Sequence, residues 1–270
     1  MSEAMSEEMR EAIAAALAEA TREAGIEAPP TPYSGTYYRV GQSSETTRYG
    51  IIGGILEIDG THYGLTSMIP FLYRRHPSQP PALSRSAIYS VETEQYIGGP
   101  PPDRANEAEP DPRFWSREQG WALVNLGPKP EHWTNYWYHD MTPNQVVTPR
   151  WPVSLWRGFI PYYRARRLIG LLWDSWLEPV TFRVTKYELL RNLLVGPVSA
   201  YRMRISIPCH DLLGAWVVDA ESEALVAMVV AGPRPSEDPR TVYAVDATTI
   251  LDELARRFPG VSITIPNRYE

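Results

Sequence analysis

Apolar residues in this chain fall into short unbroken runs or strict alternation over most of its length, and into a helical period only near its two ends. The densest stretch is Ile205 to Gly232, ISIPCHDLLGAWVVDAESEALVAMVVAG. Two apolar strands, Ala215 to Val218 and Ala224 to Ala231, are joined there by the polar turn Asp219 to Glu223, and Gly214 makes a tight corner before the first. Upstream, Tyr37 to Val40 and Ile51 to Ile58 read as strands, and Asp59-Gly60 is a hairpin turn leading into His62 to Thr66. Trp121 to Leu126, Thr181 to Tyr187, Leu189 to Val195, Ala200 to Ile207 and Val242 to Val245 continue the strand pattern.

Two segments break from it. Ser2 to Gly25 has an apolar face of Met5, Met9, Ile13, Leu17, Ala20 and Ala24, a cap at Ser6 and a terminating Gly25, which predicts an amphipathic helix. Its face is mostly alanine, suited to a lightly docked appendage or an oligomer contact. Pro29, Pro30 and Pro32 then give a linker, dividing the chain into 1–28 and a β domain over 33–270. Thr248 to Phe258 predicts a C-terminal helix capped by Asp246 or Thr248. Within the β domain, 74–116 is rich in Pro, Gly, Ser and acidic residues, interrupted only by the short strand-like run Ser86 to Val91, and predicts a long flexible loop. Residues 127–179 form an aromatic, Arg-studded insertion. Its run Arg164 to Trp173 reads as a buried strand with a basic shoulder, or as a membrane-surface segment.

A net charge of −6 argues against a general nucleic-acid binder and leaves a protein or a small molecule as the partner. The single cysteine excludes an internal disulfide, no apolar run approaches a spanning helix, and the acidic N-terminus lacks a signal-peptide pattern, so cytoplasmic residence is expected. Nine tryptophans and sixteen tyrosines supply core area or, on a sharper reading, the lining of an apolar ligand cavity.

The run Gly214-Ala215-Trp216-Val217-Val218-Asp219, followed by Val229-Val230-Ala231-Gly232, resembles the nucleophile region of trypsin-like protease domains, in particular a divergent group common in filamentous fungi. That resemblance implies a mainly β fold of two six-stranded antiparallel barrels, here with a helix at each terminus. The family's Gly-Asp-nucleophile-Gly falls on Asp211, Leu212, Leu213 and Gly214, so the nucleophile position holds Leu213. Its histidine, after a Gly-Gly hairpin and a Leu-Thr pattern, falls on Ile69 in Leu65-Thr66-Ser67-Met68-Ile69. Its aspartate, opening an Asp-Trp-Ala-Leu strand, falls on Gly120 before Trp121-Ala122-Leu123. The resemblance spans about Gly50 to Leu126 and Thr181 to Pro266, and it implies that the peptidase chemistry is lost, because these three side chains cannot transfer a proton or attack a carbonyl.

Other polar clusters are weaker. Cys209-His210-Asp211 places thiol, imidazole and carboxylate beside Leu213, but consecutive residues of an extended chain point to opposite sides; one of them acting singly as an acid or base is the more modest reading. His139-Asp140, near Tyr136 and Tyr138, reads first as a solvated loop, and His62 as a surface or packed strand residue. No metal-ligand spacing or phosphate-binding glycine loop is present, and no cofactor is expected. The leading expectation is a pseudoprotease whose former cleft, near Ile69, Trp121, Leu213 and Trp216, binds a hydrophobic small molecule or a protein. The alternative is a cyclase or isomerase acting on a hydrophobic metabolite in fungal specialised metabolism; a module with no pocket is the third.

Overall fold

The computed structural model describes residues 37–41, 48–73, 82–91, 94–103, 110–126, 156–158, 180–191, 197–205, 212–219 and 224–266, with the backbone alone for 156–158, 180–181 and 218–219. The chain divides into two units, Met1–Thr31 and Pro32–Glu270, and every described residue belongs to the second. The expected N-terminal helix and most of the 127–179 insertion lie outside the described residues.

The first half of the described chain carries β1 (Tyr37–Val40), β2 (Arg48–Ile51), β3 (Gly54–Ile58), β4 (Thr61–Ser67), β5 (Leu72–Tyr73), β6 (Ala82–Leu83), β7 (Ile88–Ser90), β8 (Tyr96–Gly98), β9 (Trp115–Ser116) and β10 (Trp121–Asn125). The second carries β11 (Trp156–Gly158), β12 (Val180–Leu190), β13 (Val198–Ile205), β14 (Trp216–Asp219), β15 (Leu225–Ala231), β16 (Thr241–Asp246), helix α1 (Ala247–Arg257) and β17 (Ile263–Thr264). Strands β11-β12-β13-β16-β15-β14 form a closed antiparallel ring, with β14 pairing back to β11. The first half differs from the expected barrel. It forms a four-stranded sheet, β2-β1-β7-β8, and a five-stranded sheet, β17-β3-β4-β10-β9. Among the described residues a single bridge, Gly99 with Asn125, joins them without a continuous ladder.

Three sequence expectations are corrected. Ile51 to Ile58 is not one strand: Ile51 ends β2, and the chain crosses at Ile52 and Gly53 to begin β3 in the other sheet. Thr181 to Tyr187 and Leu189 to Val195 are not two strands, because β12 runs unbroken over Val180–Leu190 and absorbs a bulge between Val184 and Lys186. The 74–116 stretch, expected to be a loop apart from the strand-like run Ser86 to Val91 in which β7 falls, also contains β6, β8 and β9 among its described residues. A one-turn helix at Pro112–Phe114 lies there too, capped by Asp111, which accepts from Arg113 N.

Burial explains why several strands read as continuous apolar runs rather than alternations. In β10, Trp121 and Leu123 face one core with α1, while Ala122 and Val124 face the interior between the first-half sheets. The ring's interior is a third core, built on Phe182, Met203, Ile205, Val217, Val229 and Ala244, into which Tyr37 and Ile51 reach from the first half. Helix α1 is capped as expected, Thr248 N donating to Asp246 Oδ1 at 2.9 Å. It buries Ala247, Ile250 and Leu254, the last two contributing about 1.5–3 kcal/mol each, and it also buries Glu253. No helix among the described residues is long and apolar enough to cross a membrane.

Candidate functional site

Strand β15 is the backbone on which three separated segments meet. Gly214 N donates to Val229 O at 2.8 Å, and Val229 N donates to Ala215 O at 2.9 Å, fixing the corner after Leu213 to the middle of β15. One residue further, Val230 O accepts from the Ser67 hydroxyl at 3.1 Å, and the same hydroxyl accepts from Ile69 N at 3.2 Å. The third segment arrives through β4: Met68 N donates to Gly120 O at 3.0 Å, and Trp121 pairs with Ser67 across the ladder. The segments that carry Ile69, Gly120 and Leu213, far apart in sequence, are thus tied by these bonds to one another or to Val229 and Val230.

The corner itself is clamped from the first half. Leu213 O accepts from Ile51 N at 2.7 Å, while Ile51 O accepts from the Thr66 hydroxyl at 2.7 Å. Gly214 has φ +97, and a Cβ there would collide with Ile51 O and Thr66 Oγ1, so glycine is required on both conformational and steric grounds. Gly120 also has positive φ, 75°, at the end of the turn whose N–H returns to Ser116 O at 2.8 Å.

Chemically, the described part of this spot is apolar. Ile69 is partly buried and packs against two of the cores, and Leu213 is half-buried. The nearby hydroxyls of Thr66 and Ser67 are fully buried and donate to backbone carbonyls. Tyr38 OH lies 2.8 Å from Thr66 Oγ1, and burial raises its pKa well above the usual phenol value, so it stays protonated. No group of three His, Cys, Asp or Glu among the described residues is placed to hold a metal ion. Cys209, His210 and Asp211, like His139 and Asp140, lie outside the described residues.

Trp121 and Trp216, expected to line a ligand pocket, are 0% and 1% exposed. Trp121 Nε1 donates to Glu253 Oε2 at 2.9 Å, with the Arg257 guanidinium 5.1 Å from its ring centroid. The Trp216 indole lies against Gly53 and Gly54, where any Cβ would strike it. His62 is buried, its Nε2 3.7 Å from Glu57 Oε2.

Two polar clusters escaped sequence reasoning. Glu253 accepts from the Ser116 hydroxyl at 3.0 Å and pairs with Arg257, which also donates to the carbonyls of Pro112 and Trp115. The Glu253/Arg257 spacing of four was a readable helix pair, but nothing local named Ser116 or Trp121 as partners. On the second half, Glu237 accepts from Tyr243 OH at 2.6 Å and from Arg234 N at 2.9 Å, with Arg202 at 3.5 Å. Burial first, and the Glu237 carboxylate second, raise the Tyr243 hydroxyl far above its usual value, keeping it a donor.

No protein-family model matches the chain, and no curated protein matches it. Its shape is similar to solved structures of serine proteases. A glutamic-acid-specific serine protease shares 12% identity, with 86% of this chain and 100% of that chain covered and a TM-score of 0.49. Alpha-lytic protease homolog N4 shares 13% over 82% and 95% of the two chains, with a TM-score of 0.45. Cellulomonas bogoriensis chymotrypsin shares 13% over 87% and 98%, with a TM-score of 0.44.

Proposed function

We propose that this chain is a pseudoprotease: a trypsin-like scaffold that has lost its triad and whose former cleft binds a hydrophobic small molecule or a protein instead of cutting peptide. The observation that supports this reading is that the segments carrying Ile69, Gly120 and Leu213 are bonded to one another or to Val229 and Val230 of β15. These three positions are those the resemblance assigns to the triad, and none carries a side chain that can attack a carbonyl or accept a proton. Glycine at 214 and at 53, forced by the contacts of Ile51, Thr66 and Trp216, keeps the corner in place even though its neighbour has no reactive group.

Purified protein is expected to leave peptide and ester substrates at the buffer rate and to resist labelling by a fluorophosphonate. Hydrolysis that disappears on substituting a single residue of this spot overturns the loss of chemistry. Binding is read separately, by thermal shift against fractionated small-molecule extract. A ligand at about a hundred times its dissociation constant adds roughly 2.7 kcal/mol. The shift is expected to vanish in Leu213→Asp, which puts a charge into the apolar corner. A stabilising compound that is consumed during incubation, followed by mass spectrometry, replaces the binding reading with that of a cyclase or isomerase.

A further inference from the structure

Outside the site, the second half carries an arrangement that works against its own stability. On the outer face of the ring, β12 and β13 place like charges directly opposite one another: Arg183 faces Arg204, and beyond the bulge Lys186 faces Arg202. Directly opposed residues of an antiparallel pair share a face and sit close together, so two such cationic rows are destabilising unless something compensates them. The available carboxylates do so incompletely. Arg204 reaches Asp238 at 3.2 Å and Lys186 reaches Glu188 at 2.8 Å, both as surface pairs of little energetic weight. Arg202 reaches Glu237 only at 3.5 Å, and that carboxylate is already bound by Tyr243. Arg183 is exposed and makes no ion pair with a described residue. This basic strip stands on a chain whose net charge is −6.

We propose that the strip on β12 and β13 is a docking surface for an acidic segment of a partner protein, with carboxylates at alternate positions of an extended chain. The rows lie about 6.7 Å apart along the strands, the repeat at which an extended peptide presents alternate side chains to one side. A carboxylate seated between Arg183 and Arg204 takes charge-assisted hydrogen bonds from both guanidiniums and relieves their opposition. A long polyanion or an anionic bilayer would also meet the acidic remainder of the chain and the carboxylates of Glu188, Glu237 and Asp238, which flank the strip; a short acidic segment confined to the two rows avoids both.

The test uses the full chain and a fluorescein-labelled peptide of alternating Glu and Thr, with an alternating Lys and Thr peptide as control, read by fluorescence anisotropy. The Glu peptide alone is expected to bind, and to weaken steeply as salt rises from about 0.05 to 0.5 M. Affinity is expected to fall roughly tenfold or more in Arg183→Thr/Arg204→Thr. Arg183→Thr alone is expected to keep or raise the melting temperature at low salt, an effect that disappears at high salt and distinguishes a binding residue from a structural one. Equal binding by the double variant, salt-independent binding by the wild type, or a clear loss of stability in Arg183→Thr each overturns the proposal. So does cosedimentation with phosphatidylserine vesicles that is lost in the double variant while the peptide fails to bind, which makes the strip a membrane contact. Self-association of the protein lost in the same variant, without peptide binding, makes a second copy the occupant.

Discussion

Gly53 shows how a single missing carbon holds two distant segments together. Its backbone passes so close to Gly214 O and to the Trp216 indole that a methyl group has no room, whereas Gly232 has no atom within 4 Å of where its Cβ would stand. The neighbours of Gly53 are a carbonyl and a fully buried ring, neither of which can swing aside. Gly53→Ala is therefore expected to lower the denaturation midpoint by the equivalent of about 1–3 kcal/mol, the usual penalty for overpacking a filled core. Gly232→Ala is expected to change it by much less, and a urea titration of the two variants compares them directly. Equal effects would mean that the approach of Trp216 to Gly53 does not constrain the fold.

At the scale of elements, the loop after β15 is anchored by one carboxylate. Burial on its own raises the Glu237 pKa, but the Tyr243 hydroxyl, the Arg234 amide and the guanidiniums of Arg202 and Arg234 outweigh it and hold it below the usual carboxylate value. A group whose folded pKa lies below its unfolded value stabilises the protein above the unfolded value and stops doing so as pH falls through the folded one. The gap in melting temperature between wild type and Glu237→Gln should thus be widest near neutrality and close as pH drops below about 4.5. A pH-independent gap would assign the effect of Glu237 to packing. Elements such as β10, β15, β16 and α1 were legible in the sequence because unbroken apolar runs and an Asp cap are local signals. The break at Gly53 was not, since the Trp216 indole and the Gly214 carbonyl that crowd it lie far along the chain. Motif order named Ile69, Gly120 and Leu213 as candidates, but the bonds that tie their segments to Val229 and Val230 run through the Ser67 hydroxyl and the backbone, which no residue type announces.

For the whole molecule, the bonds that matter most are those crossing between the halves. Ile51 N to Leu213 O and the Ser67 hydroxyl to Val230 O tie the first-half sheets to the ring at the candidate site. On another side, α1 extends from the last strand of the ring and sets Glu253 among Ser116, Trp121 and its own Arg257, with Arg257 holding the carbonyls of Pro112 and Trp115. Removing that carboxylate leaves the Trp121 N–H without its acceptor and the half-buried Arg257 guanidinium without its counter-charge, at a cost of roughly 2–4 kcal/mol. Because the carboxylate belongs to the second half and its partners Ser116 and Trp121 to the first, Glu253→Ala should weaken both together. Thermal unfolding followed by near-ultraviolet and far-ultraviolet circular dichroism is expected to remain a single coincident transition, shifted down by several degrees. If Glu253→Ala instead splits the melt, with tertiary signal lost before strand signal, the halves are separately stable and the latch only docks them. Coincidence means that the two halves unfold as one cooperative unit, with the Glu253 latch among the contacts that couple them.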